Sequence, residues 1–363
     1  MPQGYGYGNA RLRAMRSRLL TETDYSALLD KANIDELINA LAETPYQEDI
    51  EAALVRVEGV RCVFEAVRAN LTRTLRQVRR FFENKPLTLV DLLLRRWDRH
   101  NLLTILRGQS QEIPPELVLS TIVPVGQLDE VSLRELARQP GLRAVIDLMT
   151  AWQLPYARVL RQVRTRADVI SDLDQLELVL NHFHYASLWE ALQPGNGNQA
   201  ILLQHLRAEV DLINISTTLR LVRLPGVTTL VGQRYNASGD VRPLFIESRG
   251  HLPVQQLANL VTEGNRVEEV VLGLSSTRYA RALQAGWQRY QAGEAGLTVI
   301  ERELERWQAE QTAAMFSRDP LSIAIPIGYI GCKELEVANL RLVAQAVELG
   351  MSREQVRRDL IMV

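Results

Sequence analysis

Asp98-Arg99-His100-Asn101-Leu102-Leu103-Thr104-Ile105-Leu106-Arg107 and Asp211-Leu212-Ile213-Asn214-Ile215-Ser216-Thr217-Thr218-Leu219-Arg220 carry an acid, an amide, a threonine, a leucine and an arginine at identical spacing. A third stretch, Glu336-Val337-Ala338-Asn339, keeps the acid and the amide but has Leu342 and Gln345 where threonine and arginine would stand. The four-residue pattern alone means little, because Asp30-x-x-Asn33 and Glu36-x-x-Asn39 also satisfy it. The ten-residue pattern is a repeat. A helical unit that recurs along a chain builds a quasi-symmetric scaffold, and a scaffold points to binding rather than chemistry.

A second marker travels with the first. Gly126-x-Leu128 with Leu133 and Leu136 matches Gly250-x-Leu252 with Leu257 and Leu260. The first unit holds a partial copy, Leu41-Ala42-x-x-Pro45 against Leu136-Ala137-x-x-Pro140. These markers predict three helical repeat domains over residues 1–108, 109–225 and 226–363. The period far exceeds the ~20–50 residues of ordinary solenoids, so three small domains closing into a ring or funnel are expected.

A chain of 363 residues suits two or three domains, and 46% apolar residues is ordinary for a globular protein. The net charge of −1 supplies no global field toward nucleic acid or an anionic membrane. Lys31, Lys85 and Lys333 are the only lysines; all other basic residues are arginine, which suits bidentate contacts with carboxylates. Cys62 and Cys332 make neither a disulfide framework nor a metal spacing. The opening Met1-Pro2-Gln3-Gly4-Tyr5-Gly6-Tyr7-Gly8 has no apolar core, which predicts no signal peptide. The most apolar run, Leu321 to Cys332, is too short for the ~20 residues of a membrane span. The expectation is a soluble cytoplasmic chain.

Apolar residues at Ile50, Leu54, Val57, Val60, Phe64, Val67, Leu71, Leu75, Val78 and Phe82 step by three or four, and predict one helix from Pro45 to Phe82. Thr44 and Gln47 offer a capping box at its start, Asn84 and Pro86 a stop, and its length would be about 57 Å at ~1.5 Å per residue. Further helices are expected over Leu142 to Asp168 with a break at Pro155, Asp172 to Leu192, Arg266 to Gln291 and Leu297 to Phe316. Gly226 to Pro243, with the triplet Asn236-Ala237-Ser238, is expected to be an irregular surface loop. Alternation typical of strands is scarce, so the fold class is all-α.

No cradle for phosphate is present, since Gly226 to Gly232 lacks the following Lys-Ser/Thr. His182 and His184 lie two apart on a helix and point to opposite sides, which argues against a metal pair. No nucleophile stands beside a base, and no catalytic, cofactor or metal residue is assigned. Asp98, Asn101 and Arg107, with Asp211, Asn214 and Arg220, step along one helix side. They either face a partner or hydrogen-bond within each unit, and repetition favours the second. Arg11, Arg13, Arg16 and Arg18, and Arg73, Arg76, Arg79 and Arg80, form basic clusters better suited to an acidic protein than to RNA, because no aromatics are interleaved.

Two end segments, Tyr7-Gly8-Asn9-Ala10-Arg11-Leu12-Arg13-Ala14 and Lys333-Glu334-Leu335-Glu336-Val337-Ala338-Asn339-Leu340-Arg341, resemble the signature segments of the C subunit of archaeal and bacterial V/A-type rotary ATPases, counterpart of the d subunit of the eukaryotic vacuolar ATPase. The resemblance implies a funnel of three helical domains on the cytoplasmic face of the membrane proteolipid ring. Its cavity would receive the central-stalk subunits D and F, and the chain would pass torque without hydrolysing ATP. The 226–240 loop is longer than the family leads one to expect. Asn9, Arg11, Glu336, Asn339 and Arg341 would hold domain geometry or touch a rotor partner. The rival is a free-standing helical adaptor unrelated to membranes. Neighbouring genes for a P-loop ATPase and a two-helix proteolipid would favour the first.

Overall fold

The computed structural model describes residues 4–166, 173–192, 197–234, 238–247, 249–294 and 296–363. Among them the regular structure is wholly helical, with nineteen α-helices and one 3-10 turn. No described helix is long and apolar enough to cross a membrane. The chain divides into two compact units, Met1–His184 with Thr312–Val363, and Tyr185–Gln311.

The larger unit opens with α1 (Gly6–Arg16), α2 (Glu22–Leu29), α3 (Ile34–Leu41), α4 (Gln47–Leu54), α5 (Val60–Arg80) and α6 (Asn84–Ser110). It continues through α7 (Pro115–Leu119), α8 (Glu130–Ala137), α9 (Leu142–Ala151), α10 (Pro155–Arg166) and the first part of α11 (Leu173–Ala191). The smaller unit holds α12 (Gly197–Leu221), α13 (Val227–Arg234), α14 (Val254–Glu263), α15 (Val267–Gly273), α16 (Ala280–Gln291) and most of α17 (Thr298–Met315). α18 (Ala324–Leu349) and α19 (Arg353–Asp359) belong again to the larger unit, where α18 packs along α5, α1, α2 and α3.

The repeated leucines are core residues. In the larger unit Leu106 of α6 packs with Leu133 and Leu136 of α8, Val145 and Met149 of α9, and Leu180 of α11. In the smaller unit Leu219 of α12 packs with Leu257 of α14, Val270 of α15, Leu283 of α16 and Ile300 of α17, with Leu260 against the edge. Helix starts are set by local chemistry. Thr21 and Asp24 close a capping box on α2, Asn33 accepts from the Glu36 N–H at α3, and Asp129 accepts from the Ser132 N–H at α8. The apolar run from Leu321 is the head of α18, where Ile323, Ile325, Ile327 and Ile330 are all buried; the helix is apolar all round because it is covered all round.

Several expected boundaries move. The helix expected from Pro45 to Phe82 is two, α4 and α5, separated at Gly59, whose φ of 62° lies in the left-handed region. α5 is therefore about 32 Å long rather than 57 Å at ~1.5 Å per residue. Its buried face runs through Val63, Val67, Leu71, Leu75 and Val78, whereas Leu54 before the break is exposed. The expected Thr44–Gln47 capping box is not made. Thr44 Oγ1 donates to the Leu41 carbonyl and accepts from the Tyr46 N–H, ending α3 and turning the chain into α4. Thr277 does the same with Leu274 and Tyr279, which splits the helix expected from Arg266 to Gln291 into α15 and α16. A hydroxyl that bonds nearby backbone competes with the helical ladder, and apolar periodicity does not register it.

Gly226 to Pro243 is not a loop throughout, because α13 occupies Val227–Arg234 and buries Val231, and a 3-10 turn follows at Arg242–Leu244. Asn236 and Ala237 of the triplet lie outside the described residues, as do Asp168 and Asp172 at two expected helix ends. The break at Pro155 is where it was expected, between α9 and α10.

Candidate functional site

The acid and the asparagine of each copy point inward and do the same work three times. Asn101 on α6 donates to the Val123 carbonyl at 2.8 Å and accepts from the Val123 N–H at 2.8 Å. Asn214 on α12 clamps Ile246 in this way at 3.1 and 2.9 Å, and Asn339 on α18 clamps Ile361 at 2.8 and 3.3 Å. A primary amide presents one donor and one acceptor side by side, as a peptide does, so it satisfies both backbone groups of one loop residue. All three asparagines are buried.

The acids hold the chain a few residues from the clamp. Asp98 accepts from the Gln127 and Leu128 N–H groups at 2.8 and 2.9 Å, just before the cap of α8. Asp211 accepts from the His251 and Leu252 N–H groups at 2.9 and 3.0 Å, just before α14. Glu336 accepts from the Leu20 N–H at 2.6 Å, just before α2. Both markers of the sequence repeat thus meet in space. A Cβ on Gly126 would stand 2.2 Å from Asp98 Oδ1, and one on Gly250 2.1 Å from Asp211 Oδ1. Glycine is required there because the carboxylate occupies the place of a side chain.

Burial is complete enough to need compensation. Asp98, Asp211 and Glu336 are 1%, 0% and 3% exposed. Burial raises the Asp98 carboxyl pKa, while the two N–H groups and Arg95 hold it back. Tyr279 OH donates to Asp211 at 2.6 Å, and His251 Nδ1 lies 3.0 Å from the same oxygen. Glu336 Oε1 takes Tyr46 OH and Lys333 Nζ, each at 2.6 Å. Burial pushes the Lys333 ammonium pKa down, and Glu336 opposes it. These tyrosines were not singled out from the sequence. The signal was the tyrosine heading a helix in every copy: Pro45-Tyr46, Pro155-Tyr156 and Arg278-Tyr279. Tyr156 is buried in the same unit as Asp98, its phenol pKa raised first by burial and then by that carboxylate.

The arginines of the motif point outward. Arg107 makes a bidentate pair with Glu177 of α11 at 2.5 and 2.7 Å, and Arg220 pairs with Glu301 of α17 at 2.7 Å. Thr104 and Thr217 return their hydroxyls to the carbonyls of His100 and Ile213 in their own helices. At the chain ends Asn9 donates to the carbonyls of Pro320 and Ser322, both at 2.9 Å. Arg11 lies over the Phe81 ring at 5.5 Å, and Arg341 over Phe64 at 5.0 Å. The structure therefore separates the candidates into an inward set (Asn9, Asp98, Asn101, Asp211, Asn214, Glu336, Asn339) and an outward set (Arg11, Arg107, Arg220, Arg341). Among the described residues no three His, Cys, Asp or Glu side chains are arranged to hold a metal.

Replacing Asn101, Asn214 or Asn339 by alanine leaves one buried N–H and one buried C=O unpaired, so each variant is expected to lose about 2–4 kcal/mol in urea unfolding. An unchanged midpoint would show that the asparagine acts outside the fold.

Carboxylates saturated by N–H and O–H donors, and amides committed to backbone, are structural devices, and their recurrence defines a helical scaffold protein with repeated joints. The family model described as the ATP synthase (C/AC39) subunit matches residues 8–359. The chain belongs to that family, whose members are structural rather than catalytic subunits of the synthase. It is 26% identical over 365 aligned positions to the C subunit of the A-type ATP synthase of Methanosarcina mazei, covering 99% of this chain and 93% of that one. The C subunit of Methanosarcina acetivorans is 27% identical, with 99% and 93% covered, and that of Archaeoglobus fulgidus 24%, with 99% and 96% covered.

Proposed function

We propose that this chain is the socket of the rotor in an A-type ATPase. Three helical domains form a funnel seated on the cytoplasmic loops of the membrane proteolipid ring. The funnel receives the foot of the central-stalk subunits D and F. The protein is peripheral to the membrane on its cytoplasmic side, turns with the shaft, and transmits torque between ATP-driven rotation and ion translocation. The inward residues hold the domain geometry, and Arg11, Arg107, Arg220 and Arg341 face the partners.

The observation that carries this reading is the third joint. Glu336 reaches Leu20, Asn339 reaches Ile361 and Asn9 reaches Ser322, so both chain ends are tied into one helical unit. Chain ends are ordinarily the first places to fray, and a part loaded by a turning shaft would open there. Buried polar groups tied to the backbone of a neighbouring element also resist sliding of one helix past another, as torque transfer requires.

The test is extraction of the tagged chain from its own cells in mild detergent, with the co-purifying subunits identified by mass spectrometry. Stalk and proteolipid subunits are expected in stable proportion. A chain that elutes alone from membranes containing intact ATPase would overturn the socket reading and favour the free-standing adaptor.

A further inference from the structure

The head of α1 touches both places where the chain crosses the border of one helical group. In the larger unit α18 packs with α1, α2, α3 and α5, whereas α6 packs with α7, α8 and α9. The chain leaves the α18 group through residues 81–83, between α5 and α6, and comes back to it through residues 316–323, between α17 and α18.

At the first crossing the contact is aromatic. Tyr5 meets the Phe82 ring at 5.8 Å, and Tyr7 meets Phe81 edge-on at 6.3 Å. A Cβ on Gly8 would stand 2.3 Å from Phe82 Cε1, so the backbone of α1 rests directly on that ring. Tyr5 and Phe82 are both buried. At the second crossing the contact is polar. The buried Asn9 donates to the Pro320 and Ser322 carbonyls, both at 2.9 Å. That loop is itself a formed turn, in which Ser322 Oγ donates to the Asp319 carbonyl and accepts from the Ala324 N–H. One helical turn further on, at the other end of α1, the Arg16 guanidinium lies 4.6 Å over the Phe316 ring that opens the same crossing.

Gly8 and Asn9 are neighbours in sequence, about 100° apart around the helix, so the two contacts lie on adjoining sides of one turn. A helix makes its backbone bonds internally and does not stretch between such points. A displacement at one crossing is therefore carried to the other, or α1 comes away from both.

We propose that the head of α1 is a staple: it locks the two crossings into one body, so that they open together and share any strain that reaches either. This goes beyond the socket reading and holds whether or not the chain seats a shaft.

Native-state hydrogen exchange of the full chain tests it. The Leu87 amide, bonded to the Glu83 carbonyl, reports the first crossing, and the Ile327 amide, bonded to the Ile323 carbonyl, reports the second. Asn9→Ala is expected to speed exchange about ten-fold or more at both amides, although its side-chain bonds go to the second crossing. Gly8→Ala, whose methyl collides with Phe82 at the first crossing, is expected to speed Ile327 as well as Leu87. The Leu133 amide in α8, bonded to the Asp129 carbonyl, is the reference and should keep its rate. Gly4→Ala, whose Cβ meets nothing within 4 Å, is the control and should exchange as wild type. Should a variant destabilise the whole chain, so that Leu133 speeds up too, wild type decides the matter. Its Asn9, Leu87 and Ile327 amides should then follow one common dependence on urea, at concentrations below those that expose Leu133. An Asn9→Ala chain with Ile327 faster and Leu87 unmoved overturns the staple, as does a Gly8→Ala chain with Leu87 alone faster. Three separate urea dependences in wild type overturn it equally. None of these outcomes bears on co-purification with the stalk, so the socket stands or falls by its own test.

Discussion

Glu336→Ala is expected to be the most damaging single substitution in the chain, at about 3–5 kcal/mol, because it strands a buried ammonium. Lys333 and Glu336 are 5% and 3% exposed, and once the Glu336 carboxylate is gone Lys333 Nζ keeps Tyr46 OH, the face of the Tyr46 ring 4.5 Å away and the field of Asp49, with no carboxylate hydrogen-bonded to it among the described residues. The same change removes the acceptor of Tyr46 OH and of the Leu20 N–H. The readouts are the urea midpoint and hydrogen exchange at the Leu20 amide, which should speed up more than amides in α8. Replacing the pair together, Lys333→Met with Glu336→Leu, should recover much of the loss, since a buried ion pair and a packed apolar pair differ little in stability. A Glu336→Ala midpoint within about 1 kcal/mol of wild type would mean that the third joint does not hold the chain ends.

Gly126→Ala and Gly250→Ala are expected to cost about 3 kcal/mol or more each. The new methyl would overlap a carboxylate oxygen that cannot retreat without releasing two backbone N–H groups. The signature is non-additivity: in Asp98→Ala the space for the methyl opens, so Gly126→Ala should cost far less on that background than alone. Gly197→Ala at the head of α12 meets nothing within 4 Å and serves as the neutral control. Additive losses at 98 and 126 would show that the glycine serves loop conformation rather than the carboxylate. At the third joint Arg18 fills the glycine's place and the acid is glutamate, whose extra methylene carries Oε2 to the Leu20 N–H.

Much of the fold was legible because it is written in local terms. Leucines at helical spacing gave the class and most helices, Pro155 gave a break, and the end segments gave the family. The places where the reading went astray share one cause. Val57 and Val60 continued the apolar spacing across Gly59, and Leu274 continued it across Thr277, yet in each case one backbone or hydroxyl preference ended the helix. At 227–234 glycines on both sides suggested a loop, while Val227 and Val231 found a core to cover.

The sequence by itself determined that acid and asparagine recur three times in an all-helical chain, and that glycine and leucine recur beside them. It did not say that the two markers touch, that Tyr46, Tyr279 and Lys333 complete the buried sites, or that the arginines turn outward. Those were decided by tertiary packing, because each depends on which loop backbone comes to lie against a helix, at separations as long as 316 residues between Leu20 and Glu336. Helical spacing reports which side of a helix is dry. Only the neighbour that covers it decides which polar groups must be answered there.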